Sequence, residues 1–293
     1  MTQDEDPGTV LVTGAGRRLG RIIALDFANR GWRVGIHYRD SAEEALELVA
    51  EIVRGGGMAA AFGADLARMD TLAPLIEACA EALGVPNCLV NNAARFDWDR
   101  FGTLDAEIWQ AHLDVNLRAP IFLTQAFATT LPDGASGNVI NLIDQKVLRL
   151  DPEHFSYTIA KSALWVATQT MAQALAPRIR VNAIAPGPVL RSQDQSQAAF
   201  DQESRATLLQ QPVSAEDVTA AICFLLDTPS ITGQMIALDG GQHLAGRIDH
   251  AVDAGSGRRR LGMAADHRRA GFDAAQGIAQ ARRARGSGLV GVL

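Results

Sequence analysis

Tyr157 and Lys161 are the residues of this chain whose types and spacing most directly suggest catalysis. They stand four residues apart, and on an α-helix this spacing places both side chains on one face. A lysine ammonium beside a phenol favours the ionised form of the phenol, which prepares the tyrosine for acid–base chemistry. The same pair on an exposed helix would be inert, so it indicates catalysis only together with a second motif.

A glycine-rich turn near the N-terminus supplies the second motif. The apolar run Thr9–Thr13 leads directly into Thr13-Gly-Ala-Gly-Arg-Arg-Leu-Gly20. Such a turn between a strand and a helix lets the backbone approach a pyrophosphate at the helix N-terminus. Leu19 stands where the general dinucleotide fingerprint has its third glycine, so this turn alone could be a plain loop. Together, the two motifs predict a reductase that uses a nicotinamide cofactor.

Further motifs follow in a fixed order, and with them the chain resembles the short-chain dehydrogenase/reductases from about Thr9 to Leu244. The resemblance implies that Lys161 contacts the nicotinamide ribose and that Asn116 anchors a water chain to the site. An asparagine that caps or supports a helix is the alternative for Asn116. The motifs are Asp65-Leu66, Asn91-Asn-Ala-Ala94, Asn116, Pro186-Gly187 and Leu238-Asp-Gly-Gly241. The implied cofactor contacts are Gly14, Leu19, Gly20, Asp65, Leu66, Asn92, Ala93, Lys161, Pro186 and Gly187.

Short apolar or β-branched runs alternate with helical stretches up to residue 244. This alternation predicts an α/β fold in which a parallel sheet is covered by helices on both faces. We expect a single Rossmann-type doubly wound domain over residues 9–245, with a seven-stranded parallel sheet. The predicted strands are Thr9–Thr13, Trp32–His37, Met58–Gly63, Cys88–Asn91, Val139–Ile143, Arg180–Ile184 and Met235–Leu238. Predicted helices include Arg17–Asn29, Ser41–Arg54 and Thr71–Leu83, and Gly31 and Gly55 are expected to close the first two.

The ends of the chain differ from this domain. Residues 1–8 are expected to be a flexible N-terminus, and residues 246–293 a disordered, Arg/Ala/Gly-rich C-terminal extension. That extension holds nine arginines and four aspartates, which leaves 18 basic and 29 acidic residues elsewhere. An acidic body argues against nucleic-acid binding. The extension could instead form a helix from Ala274 to Arg285, or it could recruit a partner.

Composition also bears on location and ligands. The three cysteines, Cys79, Cys88 and Cys223, are not spaced for a metal site and are expected to be buried thiols of a cytoplasmic protein. No apolar run approaches the roughly 18 residues of a membrane span, and the acidic start shows no signal peptide. We therefore expect a small-molecule substrate, with no metal, membrane or nucleic acid as partner. The family resemblance adds the expectation of a homotetramer.

The end of the second predicted strand indicates which nicotinamide cofactor is used. A site that prefers NAD places an acid there to hold the ribose 2′-hydroxyl, whereas this chain has His37 and Tyr38. The arginines Arg17 and Arg39 are nearby, and guanidinium groups suit phosphate oxygens. We therefore expect NADPH, with the 2′-phosphate held among His37, Tyr38, Arg39, Ser41 and Arg17, and with the side chain of Asp40 turned away.

Two departures from the common family pattern narrow the resemblance. Arg18 replaces the middle glycine of the cofactor turn, and Asp144 stands thirteen residues before Tyr157, where the family usually has a serine. Together with His37-Tyr38 and with Phe96, they make the chain similar to pteridine reductases and bacterial dihydromonapterin reductases. Ala94 differs from the serine of pteridine reductases, which leaves the orientation of the substrate open.

A pterin substrate gives these residues coherent roles. The ring of Phe96 could stack on the flat pterin, and Arg18 could donate hydrogen bonds both to the cofactor phosphates and to the pterin. Reduction of a C=N bond requires a proton on nitrogen, which Tyr157 or a water held by Asp144 could deliver while Lys161 lowers the phenol pKa. We expect the polar segment Ser192–Gln211 to be either a lid or a surface excursion, and His112 and His154 to be surface residues.

Other functions are open on the sequence. A carbonyl reductase such as a 3-oxoacyl-carrier-protein reductase would act on a C=O bond, but Asp144 in place of a serine argues against it. A cofactor-sensing protein without catalysis is a third reading. The presence of Asn116, Tyr157 and Lys161 together argues against that reading.

Overall fold

A computed structural model describes residues 8–191 and 195–245, and a seven-stranded parallel sheet forms the centre of this part of the chain. The strand order is β3-β2-β1-β4-β5-β6-β7, and every neighbouring pair is parallel. The predicted α/β fold class and its doubly wound sheet are therefore confirmed. The strands are β1 (Thr9–Val12), β2 (Arg33–Tyr38), β3 (Met58–Gly63), β4 (Cys88–Asn91), β5 (Gly137–Leu142), β6 (Ile179–Pro186) and β7 (Met235–Leu238).

Eight α-helices connect the strands in the described part of the chain. Helices α1, α2 and α8 pack on one face of the sheet, and α3, α5 and α6 pack on the other. The helices are α1 (Arg18–Asn29), α2 (Ala42–Arg54), α3 (Leu72–Leu83), α4 (Ala106–Leu113), α5 (Ala119–Thr130), α6 (Phe155–Leu175), α7 (Gln197–Arg205) and α8 (Ala215–Asp227). Short 3-10 turns lie at Met69–Thr71, Gln145–Val147 and Gln242–Leu244.

The central strands are apolar because they are buried on both faces. In β1, Val10 and Val12 join the core under α1 and α2, while Leu11 points to the opposite core under α3 and α5. All three side chains are fully buried. The strand order reverses between β1 and β4, so the loops that follow these strands diverge and leave a crevice at the carboxyl edge, where ligands bind in this architecture.

The structure differs from the predicted boundaries at identifiable points. Gly31 ends α1 with a left-handed φ of +83°, as predicted, but Gly55 has φ −75° and the left-handed position after α2 is taken by Gly56. Residues Asp114–Arg118, which include Asn116, form a π-helical segment between α4 and α5.

The structure bears on the expectations about cysteines, membrane helices and metal ligands only over the residues it describes. The thiols of Cys79, Cys88 and Cys223 are free and buried. Within the described ranges, no helix is long and apolar enough to cross a membrane, and no cluster of three or more potential metal-ligating side chains is found. The predicted flexible N-terminus, apart from Gly8, and the C-terminal extension lie outside the described residues.

Candidate active site

Tyr157 and Lys161 lie on the first turns of α6, next to the end of β5. The Tyr157 hydroxyl donates a hydrogen bond to Oδ2 of Asp144 at 2.9 Å, and Asp144 lies two residues after the end of β5. The ammonium of Lys161 donates to the carbonyl oxygen of Leu142 at 2.6 Å. Tyr157 and Lys161 are buried and Asp144 is partly buried. Three of the four predicted catalytic side chains are thus brought together by one strand end and one helix.

The charges of this cluster differ from the sequence-based expectation. Burial, followed by the charge of Asp144 and its hydrogen bond, raises the pKa of Tyr157 well above its ordinary value, so the predicted lowering by Lys161 does not set the direction of the shift in this arrangement. The physical reason is geometric, because the Lys161 ammonium is bonded to a backbone carbonyl and lies 5.8 Å from the centre of the phenol ring. Burial lowers the pKa of Lys161 itself to about 8.

The pKa of the Asp144 carboxyl is higher than that of an ordinary carboxyl. Burial raises its pKa, although the backbone N–H of Lys146 and the Tyr157 hydroxyl donate hydrogen bonds to it, which favours the charged form. A carboxyl of raised pKa retains a proton more readily near neutral pH. The Asp144–Tyr157 pair is therefore equipped to hold and deliver a proton.

The glycine turn after β1 is shaped by close backbone approach. Gly14 has φ +62°, and a Cβ added to Gly20 would lie 2.3 Å from the carbonyl oxygen of Gly14. Asn92 locks the turn from the neighbouring strand end, since its amide donates to the carbonyl of Thr13 at 2.8 Å and to that of Gly14 at 3.2 Å. The hydroxyl of Thr13 accepts hydrogen bonds from the backbone N–H groups of Asn92 and Ala93, both at 3.0 Å. Thr13 is a site residue that the motif contains but that our prediction left out.

His37 supports this turn from β2 through both ring nitrogens. Its Nδ1 accepts a hydrogen bond from the backbone N–H of Gly14 at 3.0 Å, and its Nε2 lies 3.0 Å from the carbonyl oxygen of Ala64. The N–H of Gly14 can only donate, so Nδ1 is unprotonated and the ring hydrogen resides on Nε2. Burial lowers the pKa of His37 to about 4, which keeps the ring neutral. The structure therefore commits the predicted cofactor residue His37 to holding the turn.

The residues predicted to hold a 2′-phosphate cluster beyond β2. Tyr38 is the last residue of that strand, and Ser41 precedes α2. Arg39 forms an ion pair with Asp40 at 2.5 Å, and Arg17 is paired with Glu44. Asp40 thus pairs with the adjacent Arg39, and its expected orientation away from a 2′-phosphate stays a prediction.

The loops that follow β3 and β6 lie on opposite sides of the crevice between β1 and β4. Asp65 accepts a hydrogen bond from the backbone N–H of Ala67 at 3.0 Å, and Leu66 is buried. Pro186 closes β6, and a Cβ on Gly187 would lie 2.8 Å from the Cα of Asp239. Gly187 is thus shaped by close backbone approach, whereas Asp65 holds its loop through its side chain.

Asn116 lies in the π-helical segment and is fully buried. Its side-chain oxygen Oδ1 accepts a hydrogen bond from the backbone N–H of Arg95 at 2.8 Å, and its side-chain Nδ2 donates one to the backbone carbonyl of Arg95 at 2.9 Å. The Asn116 side chain therefore fixes the loop between β4 and α4. That loop carries Phe96. The water-anchoring role expected for Asn116 stays a prediction.

Phe96 presents a ring beside the ring of Tyr157. The ring is 46% exposed, meets the Tyr157 ring edge-on at 4.7 Å, and stacks on His154 with centroids 4.0 Å apart. His154 is partly buried and adopts a left-handed φ of +53° just before α6. His112 is fully buried, so the expectation that it is a surface residue is wrong.

Arg18 connects the cofactor turn to the segment that follows β6. It has a left-handed φ of +53°, and its guanidinium donates to the carbonyl oxygens of Arg191 at 2.8 Å and Leu190 at 3.1 Å. The segment predicted as a lid or surface excursion contains α7, while residues 192–194 are outside the described ranges. Arg18 thus lies at the cofactor turn, as expected, with its side chain directed to the backbone of the opposite loop.

Comparison with known proteins agrees with this geometry. A family model described as enoyl-(acyl carrier protein) reductase matches residues 14–243. A 3-oxoacyl-[acyl-carrier-protein] reductase from Synechocystis sp. is 33% identical over 235 residues, which cover 79% of this chain and 95% of the relative.

Solved structures share both the fold and much of the sequence. The crystal structure of FolM alternative dihydrofolate reductase 1 from Brucella suis, in complex with NADP, is 43% identical with a TM-score of 0.81, and the match covers 83% of this chain and 98% of that one. A short chain dehydrogenase from Burkholderia cenocepacia, also in complex with NADP, is 34% identical with a TM-score of 0.75, over 80% of this chain and 96% of that one. On these matches and on its fold, the chain belongs to the short-chain dehydrogenase/reductase family.

Proposed function

We propose that this protein is an NADPH-dependent reductase that transfers a hydride to a C=N bond of a dihydropterin. The observation that carries the proposal is the hydrogen bond of 2.9 Å between the Tyr157 hydroxyl and Asp144, beside the exposed ring of Phe96. A proton-holding pair next to a flat aromatic wall suits a flat heterocycle that must receive a proton on nitrogen.

The cofactor proposal rests on the fit of the glycine turn. A Cβ at Gly20 would collide with the backbone of the turn, and Gly14 has a left-handed φ of +62°, so both positions require glycine, as in a pyrophosphate-binding turn. Gly14, Arg17, Arg18, Leu19, Gly20, Asn92 and Ala93 would hold the phosphates and the nearby ribose, and Lys161, Pro186 and Gly187 the nicotinamide end. Arg39, Ser41 and Tyr38 would hold the 2′-phosphate, and Asp65 and Leu66 the adenine. When bound, NADPH supplies the hydride.

The chain's own residues supply the proton and the orientation of the substrate. Asp144, with its raised pKa, and the buried Tyr157 hold a proton between them and deliver it to the substrate nitrogen. Phe96 offers one face for stacking, which contributes about 0.5–1.5 kcal/mol beyond area burial. Arg18 would turn from the carbonyls of Leu190 and Arg191 to reach the pterin or the cofactor phosphates. The similarity to the FolM protein of Brucella suis agrees with a substrate of this class.

A substrate panel tests this proposal directly. NADPH oxidation is followed at its near-ultraviolet absorbance with dihydromonapterin, dihydrobiopterin and dihydrofolate, and with an acetoacetyl thioester as the carbonyl control. Turnover of the pterins, and its loss in Asp144→Ser, would support the roles of Asp144 and Phe96. Turnover of the thioester alone would refute the pterin substrate.

A carbonyl reductase is the second candidate, because the Synechocystis relative is a 3-oxoacyl-[acyl-carrier-protein] reductase at 33% identity. In that reaction the Tyr157 hydroxyl would protonate the carbonyl oxygen. Under this alternative, Asp144→Ser would raise rather than lower the rate with the thioester, since a neutral hydroxyl replaces a carboxyl that competes for the phenol proton.

The remaining expectations stand as proposals about the whole protein. We propose a cytoplasmic homotetramer that acts on a small molecule, without nucleic-acid or membrane partners. Sedimentation velocity of the full chain would measure the oligomeric state. A chain truncated after Leu244 would test whether residues 246–293 contribute to catalysis, with unchanged turnover as the expected result.

A further inference from the structure

A buried chain of hydrogen bonds lies behind Tyr157 and has no part in the roles described so far. The Ser156 hydroxyl donates to Oδ2 of Asp99, and it lies 2.6 Å from Nδ1 of His112. On the other side of the imidazole, Nε2 accepts from the backbone N–H of Asp97 at 3.0 Å. Asp99, His112 and Ser156 are all buried, at 2%, 0% and 0% exposure.

The direction of each hydrogen bond is fixed by its partners. The Asp97 N–H can only donate, so Nε2 of His112 must be unprotonated and Nδ1 must carry the ring hydrogen. That hydrogen points to the Ser156 oxygen, which leaves the serine hydrogen for the Asp99 carboxylate. The chain therefore has one consistent arrangement, and it requires a neutral His112.

These residues join the three elements that surround the substrate position. Asp97 and Asp99 belong to the loop that carries Phe96, His112 lies near the end of α4, and Ser156 precedes Tyr157 on α6. Both carboxylate oxygens of Asp99 also lie 3.2 Å from the backbone N of Ser156. Asp99 thus caps α6 from another element, because the residue at the N-cap, His154, makes no side-chain capping bond.

We propose that Asp99, Ser156 and His112 are positioning residues that set the distance between the Phe96 ring and the Tyr157 hydroxyl, and thereby how a flat substrate lies between them. The substrate class in this inference rests on the proposed function, whereas the positioning itself does not. None of the three side chains touches the hydroxyl of Tyr157 or the Asp144 carboxylate among the contacts described. Their loss should therefore weaken substrate binding more than cofactor binding.

The protonation state of His112 gives the arrangement a measurable signature. Burial lowers the pKa of His112, so the anchored form is complete at neutral pH and is lost as the pH falls through that lowered value. A protonated Nε2 could no longer accept from the Asp97 N–H, and its nearest acid would be the Asp97 carboxylate, 3.7 Å away. The other groups that face the ring are Asp99, Arg95, His154 and the ring of Tyr157 at 6.0 Å.

Ser156→Ala is the decisive variant because it removes the hydroxyl and retains the backbone N–H that Asp99 caps. Thr158→Val is the matched control, since the buried hydroxyl of Thr158, on the same turn of α6, makes no hydrogen bond with the described residues. Two quantities are measured in each: hydrogen–deuterium exchange of the peptide over residues 92–101, without substrate, and the Michaelis constant for whichever substrate the panel selects.

For Ser156→Ala we expect about tenfold lower exchange protection of this peptide and about a tenfold higher substrate KM, as the loss of both buried hydrogen bonds of the Ser156 hydroxyl implies. The Kd for NADPH should stay within about twofold of the wild type. Thr158→Val should change none of these. In the wild type, protection corrected for intrinsic exchange should fall on acidification. His112→Phe should show low protection at both neutral and acidic pH.

Three results would overturn the inference: unchanged protection in Ser156→Ala, lost protection with an unchanged substrate KM, or an equal loss in Thr158→Val. The exchange measurement requires no substrate, so it is independent of the pterin proposal. If the panel selects the thioester, the proposed substrate is refuted while the exchange result still decides whether the three residues position the loop.

Discussion

Gly20→Ala should weaken NADPH binding through a collision whose size follows from the structure. The new Cβ would lie 2.3 Å from the carbonyl oxygen of Gly14, 2.6 Å from the amide nitrogen of Asn92 and 2.9 Å from the Cα of Ala15. Real Cβ atoms essentially never approach heavy atoms closer than 3.0 Å. The backbone of the turn must therefore move by ~0.7 Å or α1 must withdraw from it.

Overpacking of this kind costs about 1–3 kcal/mol. If that displacement falls on the phosphate-binding geometry, the Kd for NADPH rises by about 5- to 150-fold. The assay is the enhancement of NADPH fluorescence on titration with protein, with the melting temperature of each variant as a check of folding.

Gly55→Ala is the matched control because Gly55 ends α2 with φ −75° and its nearest neighbour to an added Cβ is 3.3 Å away. Its Kd for NADPH should stay within about twofold of the wild type. A folded Gly20→Ala protein that binds NADPH as tightly as the wild type would refute the assignment of this turn to the cofactor phosphates.

Three further outcomes follow from the charges of the site. Tyr157→Phe should abolish turnover and leave the Kd for NADPH within about threefold, which a titration checks; weak cofactor binding would show that the site is misplaced. Asp144→Asn should lower kcat by about 10²–10⁴ with a pterin, measured at saturating NADPH, and an unchanged kcat would exclude Asp144 from proton transfer. His37 is neutral in the fold with a pKa of about 4, against an ordinary value of about 6.5. The free energy of unfolding therefore falls as the pH drops below 6.5, by about 3 kcal/mol in total once the pH is below 4. Urea unfolding at pH 7.5 and 5 should therefore show a smaller acid-induced loss in His37→Gln than in the wild type, and equal losses would contradict a buried neutral ring.

Much of the fold was predictable because the central strands are buried on both faces and read as apolar runs. The run that contains Val10, Leu11 and Val12 is one example, and all three side chains are fully buried. The spacing of Tyr157 and Lys161 predicted that they would share one face of a helix, and both lie on α6. The exact conformation of turns was not predictable. Either Gly55 or Gly56 could have taken the left-handed position after α2, and the structure places Gly56 there.

The site contains contacts that spacing could not reveal. Asp99 and Ser156 are 57 residues apart, and their contact depends on how the loop after β4 meets α6. The burial of His112 depends on the same packing. The hydrogen bond from Gly14 to His37 depends on the register between β1 and β2, in which Val12 is paired with Ile36. A histidine near the end of a buried strand, as His37 is in β2, is the one sequence signal that could have indicated its role in supporting the glycine turn.

The hydrogen bonds from Arg18 to Leu190 and Arg191 have a thermodynamic consequence. One guanidinium on the first turn of α1 is shared between the loop that follows β6 and any anion that arrives at the glycine turn. A ligand that takes this guanidinium must break two backbone hydrogen bonds, and a loop that keeps it lowers the affinity for that ligand by the same factor. Linkage makes this penalty reciprocal. Ligand binding at the glycine turn after β1 and the conformation of the loop after β6 are therefore coupled by one free energy.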